Sequence, residues 1–157
     1  MGASSAPRIR IESAPFDPAA ELAAFETDAG RTAGAVVCFL GKVREGASDD
    51  PVRALYLEHY PGMTERAIEA TAAEAQRRWS LFDCLVIHRV GAMAPGEPIV
   101  FVCASAAHRR DAFQAADRLM DYLKTKALFW KKEMRDNSEA WIEPRPADHA
   151  DEARWKD

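Results

Sequence analysis

The sequence is poor in the residues that staple, anchor or metallate a chain. Cysteine occurs three times in 157 residues, at Cys38, Cys84 and Cys103. The number is odd, no two stand in C-x-x-C spacing, and each lies inside an apolar run. Buried free thiols in a reducing compartment are therefore expected, not a disulfide framework. The four histidines, His59, His88, His108 and His149, show no ligand spacing, so no metal site and no cofactor is expected. The apolar run from Thr32 to Gly41 is far too short to span a bilayer. The N-terminus lacks a basic region followed by an apolar run, so no secretory leader is expected, and Ala6 stands where a myristoylation motif wants Ser or Thr. Neither G-x-S-x-G nor a Walker or Rossmann glycine pattern occurs. With 21 Lys and Arg against 25 Asp and Glu, the net charge of −4 lacks the basic balance that general nucleic-acid binding wants. The expectation is a cytoplasmic protein that engages neither membrane nor nucleic acid.

What is present suffices for one core. A chain of 157 residues, 48% hydrophobic, is of single-domain length, so residues 8–157 are expected to form one domain behind a flexible segment 1–7. Arg8 to Glu12 alternates with period two and predicts a half-buried strand. Asp17 and Pro18 open a helix with a narrow apolar stripe at Leu22, Phe25 and Glu26, leaving at Gly30. Gly34 to Val43 is almost continuously apolar and predicts a central strand covered on both faces. A loop over Glu45–Pro51, a strand over Val52–Tyr60, and a long helix from Met63 through Trp79 follow. Two further strands, Asp83–Val90 and Pro98–Ala104, are separated by a loop. Ser105 is the expected cap of a helix running to about Ala127, with an apolar stripe at Phe113, Ala116, Met120, Leu123 and Ala127. Phe129–Met134 is a last strand candidate, followed by Trp141-Ile142-Glu143 and a charged tail.

The chemistry gathers in the stretch Met120–Glu133, MDYLKTKALFWKKE, which carries Lys124, Lys126, Lys131 and Lys132 in an otherwise acidic chain. Lys124 falls at the edge of the helix's apolar stripe, where partial desolvation would lower its pKa and make it an acid, base or nucleophile. A snorkelling lysine paired with Asp117 or Asp121 is the plainer alternative. As a strand, Phe129–Glu133 sets Lys131 and Glu133 on one face, where Glu133 would hold Lys131 charged, and Trp130 and Lys132 on the other. His108, Arg109 and Arg110 crowd the first turn of the same helix, where cations are unfavourable unless an anion sits there. Together with Lys42 and Arg44, these cations suit a phosphorylated or carboxylate-bearing substrate.

The runs GKVR (41–44), LEHYPGMTE (57–65), IHRVG (87–91), AHR (107–109) and MDYLKTKALFWKKE (120–133) resemble the large, catalytic subunit family of molybdopterin synthases, over about Arg8 to Trp155. The resemblance implies an α+β fold, an α/β-hammerhead-type domain with a mixed or antiparallel sheet and three main helices. It implies conversion of cyclic pyranopterin monophosphate (precursor Z) to molybdopterin, with sulfur delivered as the C-terminal glycine thiocarboxylate of a small ubiquitin-like subunit. A homodimer at the centre of a heterotetramer is implied too. By motif, the family's substrate-binding residues fall on Lys42, Val43, Arg44, His108, Arg109, Lys124, Lys131, Lys132 and Glu133, with Lys124 and Lys131 catalytic. The pocket is implied to be completed across the dimer, so that His108 and Arg109 serve the neighbour's site. Lys132 stands where many members carry Arg, which keeps charge but loses a bidentate fork. Two other classes remain open on the residues alone: a non-catalytic module docking a ubiquitin-like partner's tail, and a Schiff-base enzyme using Lys124.

Overall fold

Two four-stranded sheets carry the chain, and the computed structural model describes residues 4–156. The first sheet has the order β1 (Arg8–Glu12), β4 (Asp83–Arg89), β6 (Pro98–Ala106), β2 (Ala35–Lys42), with β1 parallel to β4 and the other pairs antiparallel. The other, wholly antiparallel, has the order β5 (Gly91–Met93), β3 (Ala54–His59), β7 (Phe129–Met134), β8 (Glu139–Ile142). Three long helices, α1 (Pro18–Ala29), α2 (Met63–Arg78) and α3 (Arg109–Thr125), complete the expected α+β architecture, and a short α4 (Pro146–Ala153) joins them.

The first sheet is a filled layer with helices on both sides. All seven residues of β4 are buried, so its side chains must alternate between two apolar environments. Cys84 and Val86 face α2 and α3, with Val102, Ala104 and Leu119, while Leu85 and Ile87 face Phe25 of α1, with Phe101 and Cys103. Each such side chain contributes about 1.5–3 kcal/mol of burial free energy. A third cluster, Val43, Leu55, Leu57 and Met93, backs the second sheet. The entry to α1 follows the sequence rule closely: the Asp17 carboxylate accepts from the backbone N–H groups of Ala19 (2.9 Å) and Ala20 (3.3 Å), with Pro18 next.

Several expectations are corrected. The apolar strand β2 is an edge strand rather than a central one, and Cys38, Phe39 and Leu40 are exposed along it. Of the three thiols, therefore, Cys84 and Cys103 are buried and Cys38 is not. The α3 helix starts at Arg109 with His108 as its extended N-cap residue, because β6 continues to Ala106 in register with Ala35. Ser105 is a buried strand residue opposite Val36 and Asp83, not a cap. The buried stripe of α3 is Ala112, Ala115, Ala116, Leu119 and Leu123, which leaves Phe113 60% exposed. A short strand, β5, occupies part of the loop expected at 91–97. Within the segment expected to be flexible, residues 1–3 lie outside the described residues. Ser4 and Ser5 are tied down, Ser4 Oγ donating to the Leu81 carbonyl at 3.0 Å and Ser5 Oγ to Asp83 at 3.1 Å.

Candidate active site

The C-terminal end of α3 runs directly into β7, and this junction lies against the second sheet. Thr64, buried in the first turn of α2, fixes it: its hydroxyl accepts from the Tyr60 N–H (2.9 Å) and donates to the Leu128 carbonyl (3.1 Å). In β7 the pleat sorts the basic run. Lys131 and Glu133 lie opposite Leu57 and Leu55, on the inner face, whereas Lys132 lies opposite Tyr56 and Trp141 on the outer face.

A cleft of about 960 Å³ opens over that inner face. Its apolar lining includes Val43, Leu55, Ile99, Leu123 and Phe129, and its cations include Lys42, Arg44, Lys124 and Lys131. Lys42 and Arg44 arrive from the end of β2, where the register shifts between Gly41 and Lys42. Gly41 leaves room there for Val100, whose Cγ1 would lie 2.6 Å from an added Cβ and would have to shift. The cleft thus collects Lys42, Val43 and Arg44 from one stretch of the sequence and Lys124, Lys131 and Glu133 from another about eighty residues later.

Lys131 is the perturbed group. Burial, with the Lys124 charge acting in the same direction, lowers its pKa to about 8, and only Asp148 opposes them. An amine with that pKa exchanges a proton readily near neutral pH. Behind the cleft His88 is buried, its ring stacked on Phe129 with centroids 4.0 Å apart. Burial drives its pKa down to about 3, against its bond to the Arg89 carbonyl, and the Lys131, Lys124 and His59 charges act in the same direction as burial. It is therefore neutral, with Nδ1 donating to that carbonyl at 2.9 Å.

Comparison with known proteins bears on what such a cleft serves. The family described as MoaE protein matches residues 11–126. A molybdopterin synthase catalytic subunit from Cereibacter sphaeroides is 49% identical over 148 residues, covering 94% of this chain and 99% of the relative. The chain belongs to the MoaE family. Among solved structures, a MoaE protein of molybdopterin biosynthesis from Burkholderia ambifaria is 47% identical with a TM-score of 0.79, covering 95% of this chain and 97% of that one. A complex of subunits 1 and 2 of molybdopterin-converting factor from Helicobacter pylori shares the fold at 19% identity, with a TM-score of 0.74 and 87% and 91% of the two chains covered. The family match ends at Lys126, so the β7 lysines and everything after them lie beyond the matched residues.

Against this MoaE frame, three of the sequence-derived site residues stand apart from the cleft. His108 and Arg109 are exposed at the opposite end of α3, about 22 Å from Lys124 by helical rise. Lys132 points outward, 3.2 Å from Glu139 and over the rings of Tyr56 and Trp141 at 5.8 and 5.4 Å. Two expected side-chain roles also change. Glu133 is paired with Arg135 at 2.8 Å and not with Lys131. Lys124 is exposed, and Asp117 and Asp121 are bound by Arg154, so the desolvated lysine is Lys131. Sequence reasoning missed Asp148 and left Arg145 without a role. The signal available was Arg-Pro-x-Asp at 145–148, a helix start with proline in the first turn. Among the described residues no group of His, Cys, Asp and Glu could hold a metal ion, and no helix is long and apolar enough to cross a membrane.

Proposed function

We propose that this cleft performs the sulfur transfer of molybdopterin synthesis. A small ubiquitin-like carrier presents its C-terminal glycine thiocarboxylate to the cleft, and cyclic pyranopterin monophosphate is the acceptor. The single observation that carries this reading is the pairing of Lys124 with a Lys131 whose pKa is near 8, in a cation-lined cleft with an apolar floor.

The thiocarboxylate sulfur attacks a side-chain carbon of the pterin and displaces an oxygen, forming a thioester between carrier and substrate. Lys131, protonated or not within a small energy range, supplies the proton that the departing oxygen needs and polarises the substrate before attack. Water then adds to the acyl carbon. Lys124 stabilises the resulting oxyanion, and its collapse leaves the thiol on the substrate and a carboxylate on the carrier. Two rounds with two carriers install both sulfurs. Arg44 and Lys42, at the cleft's other wall, hold the phosphate between rounds. His108 and Arg109 reach a cleft only in another copy of the chain, and we assign them to the neighbour's site in a homodimer that binds one carrier per subunit.

The test is a mass-spectrometric assay with precursor Z and thiocarboxylated carrier, using the wild type and Lys124→Ala. Two-sulfur product from the wild type alone supports the reading. Carrier binding without product from either form would instead make the chain a docking module.

A further inference from the structure

The cleft contains a carboxylate to which neither sequence pattern nor family resemblance gives a role. Asp148 sits in the first turn of α4 with its side chain only 11% exposed. It accepts three bonds from Arg145: from the backbone N–H at 2.9 Å, from Nε at 3.1 Å and from Nη2 at 2.9 Å. A forked, charge-assisted contact of this kind fixes orientation as well as distance. The helix bearing it is itself indexed on α3. Arg154 Nη2 donates to Asp117 at 2.7 Å and to Asp121 at 2.8 Å, and the Trp155 indole N–H donates to Asp121 at 2.6 Å. Asp121 stands one turn before Lys124, so the helix that presents Lys124 also determines where Asp148 lies.

Charged groups reach the cleft from every element around it. Lys42 and Arg44 come from the end of β2, Lys124 from α3, Lys131 and Glu133 from β7, and Arg135 from just past it. Glu143 and Arg145 come from the segment between β8 and α4, Asp148 from the first turn of α4, and His88 of β4 lies behind, neutral. Of the three carboxylates, Glu133 is turned to Arg135. Asp148 is the one whose charge acts on Lys131, and Lys124 acts on Asp148 in turn.

We propose that Asp148 is a positioning residue of this cleft: its carboxylate pins Arg145 at the cleft wall and supplies the negative charge that faces the Lys124–Lys131 pair. It thereby opposes the two influences that would strip the proton from Lys131, burial and the neighbouring ammonium. The inference concerns the chain's own groups and is tested without any substrate, so its failure is separable from failure of the sulfur-transfer reading.

The chain of residues 1–157, as wild type, Asp148→Asn and Asp148→Glu, is acylated briefly with acetic anhydride at a series of pH values. Labelling of the Lys131 peptide is then followed by mass spectrometry, since only the neutral amine reacts. The wild-type midpoint is expected near pH 8. In Asp148→Asn it moves to lower pH by about half a unit or more, and in Asp148→Glu it returns close to the wild-type value. A midpoint unmoved in Asp148→Asn overturns the proposal. So does an equal displacement in both variants, which marks Asp148 as a helix cap alone. Should Asp148→Asn fail to fold, Arg145→Gln is read instead: removing the guanidinium leaves the carboxylate to the lysines, and a midpoint that does not rise overturns the proposal.

Discussion

The two sheets each have two interior strands, and β6 and β7 put the same position to opposite uses. From Val100 to Ala106, β6 is buried and apolar but for Ser105, with one face on α2 and α3 and the other on α1. The β7 strand is interior too, between β3 and β8, yet it carries Lys-Lys-Glu and none of its residues is fully buried. The difference lies in what covers them. Helices close both faces of the sheet that holds β6, whereas the inner face of the sheet that holds β7 opens partly onto a cleft of about 960 Å³. An interior strand beside a cleft can hold a lysine in low-dielectric surroundings without sealing it away, and this arrangement is what perturbs Lys131.

The comparison is broken most severely by emptying the first sheet. Phe101→Ala, at a site 1% exposed, is expected to cost about 3–5 kcal/mol in urea unfolding, while turnover per folded molecule stays near wild type. A parallel loss of activity at full folding would mean that the two sheets do not divide the work. Next in size, Lys131→Ala is expected to lower sulfur transfer by about 10²-fold or more with no loss of stability. Lys131→Met sharpens the contrast further. The folded pKa of Lys131 is about 8 against an ordinary 10.5, so its charged form is penalised by folding below about pH 8. That penalty is relieved as pH rises from 8 to 10.5. Lys131→Met should therefore stabilise the free protein by about 1–2 kcal/mol near neutral pH. The advantage should shrink across the alkaline window, which thermal melts at several pH values would reveal. Smallest of all, Lys132→Ala on the outer face should cost under about 1 kcal/mol and change turnover little, because its contacts are Glu139 and two rings. A large kinetic defect there would return Lys132 to the substrate.

Much of this architecture was legible in the sequence, and the misses have physical causes. Period two placed Lys131 with Glu133 and apart from Lys132, as β7 shows. It could not say which face was inward, since that depends on pairing with Leu55 and Leu57 more than seventy residues earlier. The helical pattern of α3 drew attention to Lys124, but the true buried stripe is rotated toward Ala112 and Ala115, and Lys124 stays exposed. A run such as Ala35–Gly41 announces that a strand tolerates burial, not that it is central, and β2 lies at an edge. The α4 helix was missed because charge and proline dominate its sequence, and what anchors it lies just past its end, where Trp155 stands edge-on to Trp79 at 5.6 Å. Lys42, Arg44, Lys124 and Lys131 were all identified as cations of interest, while their convergence on one cleft required the fold.

The clamp of α4 on α3 has a consequence for how this gene can be damaged. A premature stop after Glu143 would spare every strand and all three long helices, while Trp79 would lose Trp155 and Arg118 would lose Glu152. What would vanish is one wall of the cleft, with Arg145 and Asp148. Such a truncation is expected to keep both sheets while the lysines lose the wall that frames them, a lesion that assays of solubility alone would understate.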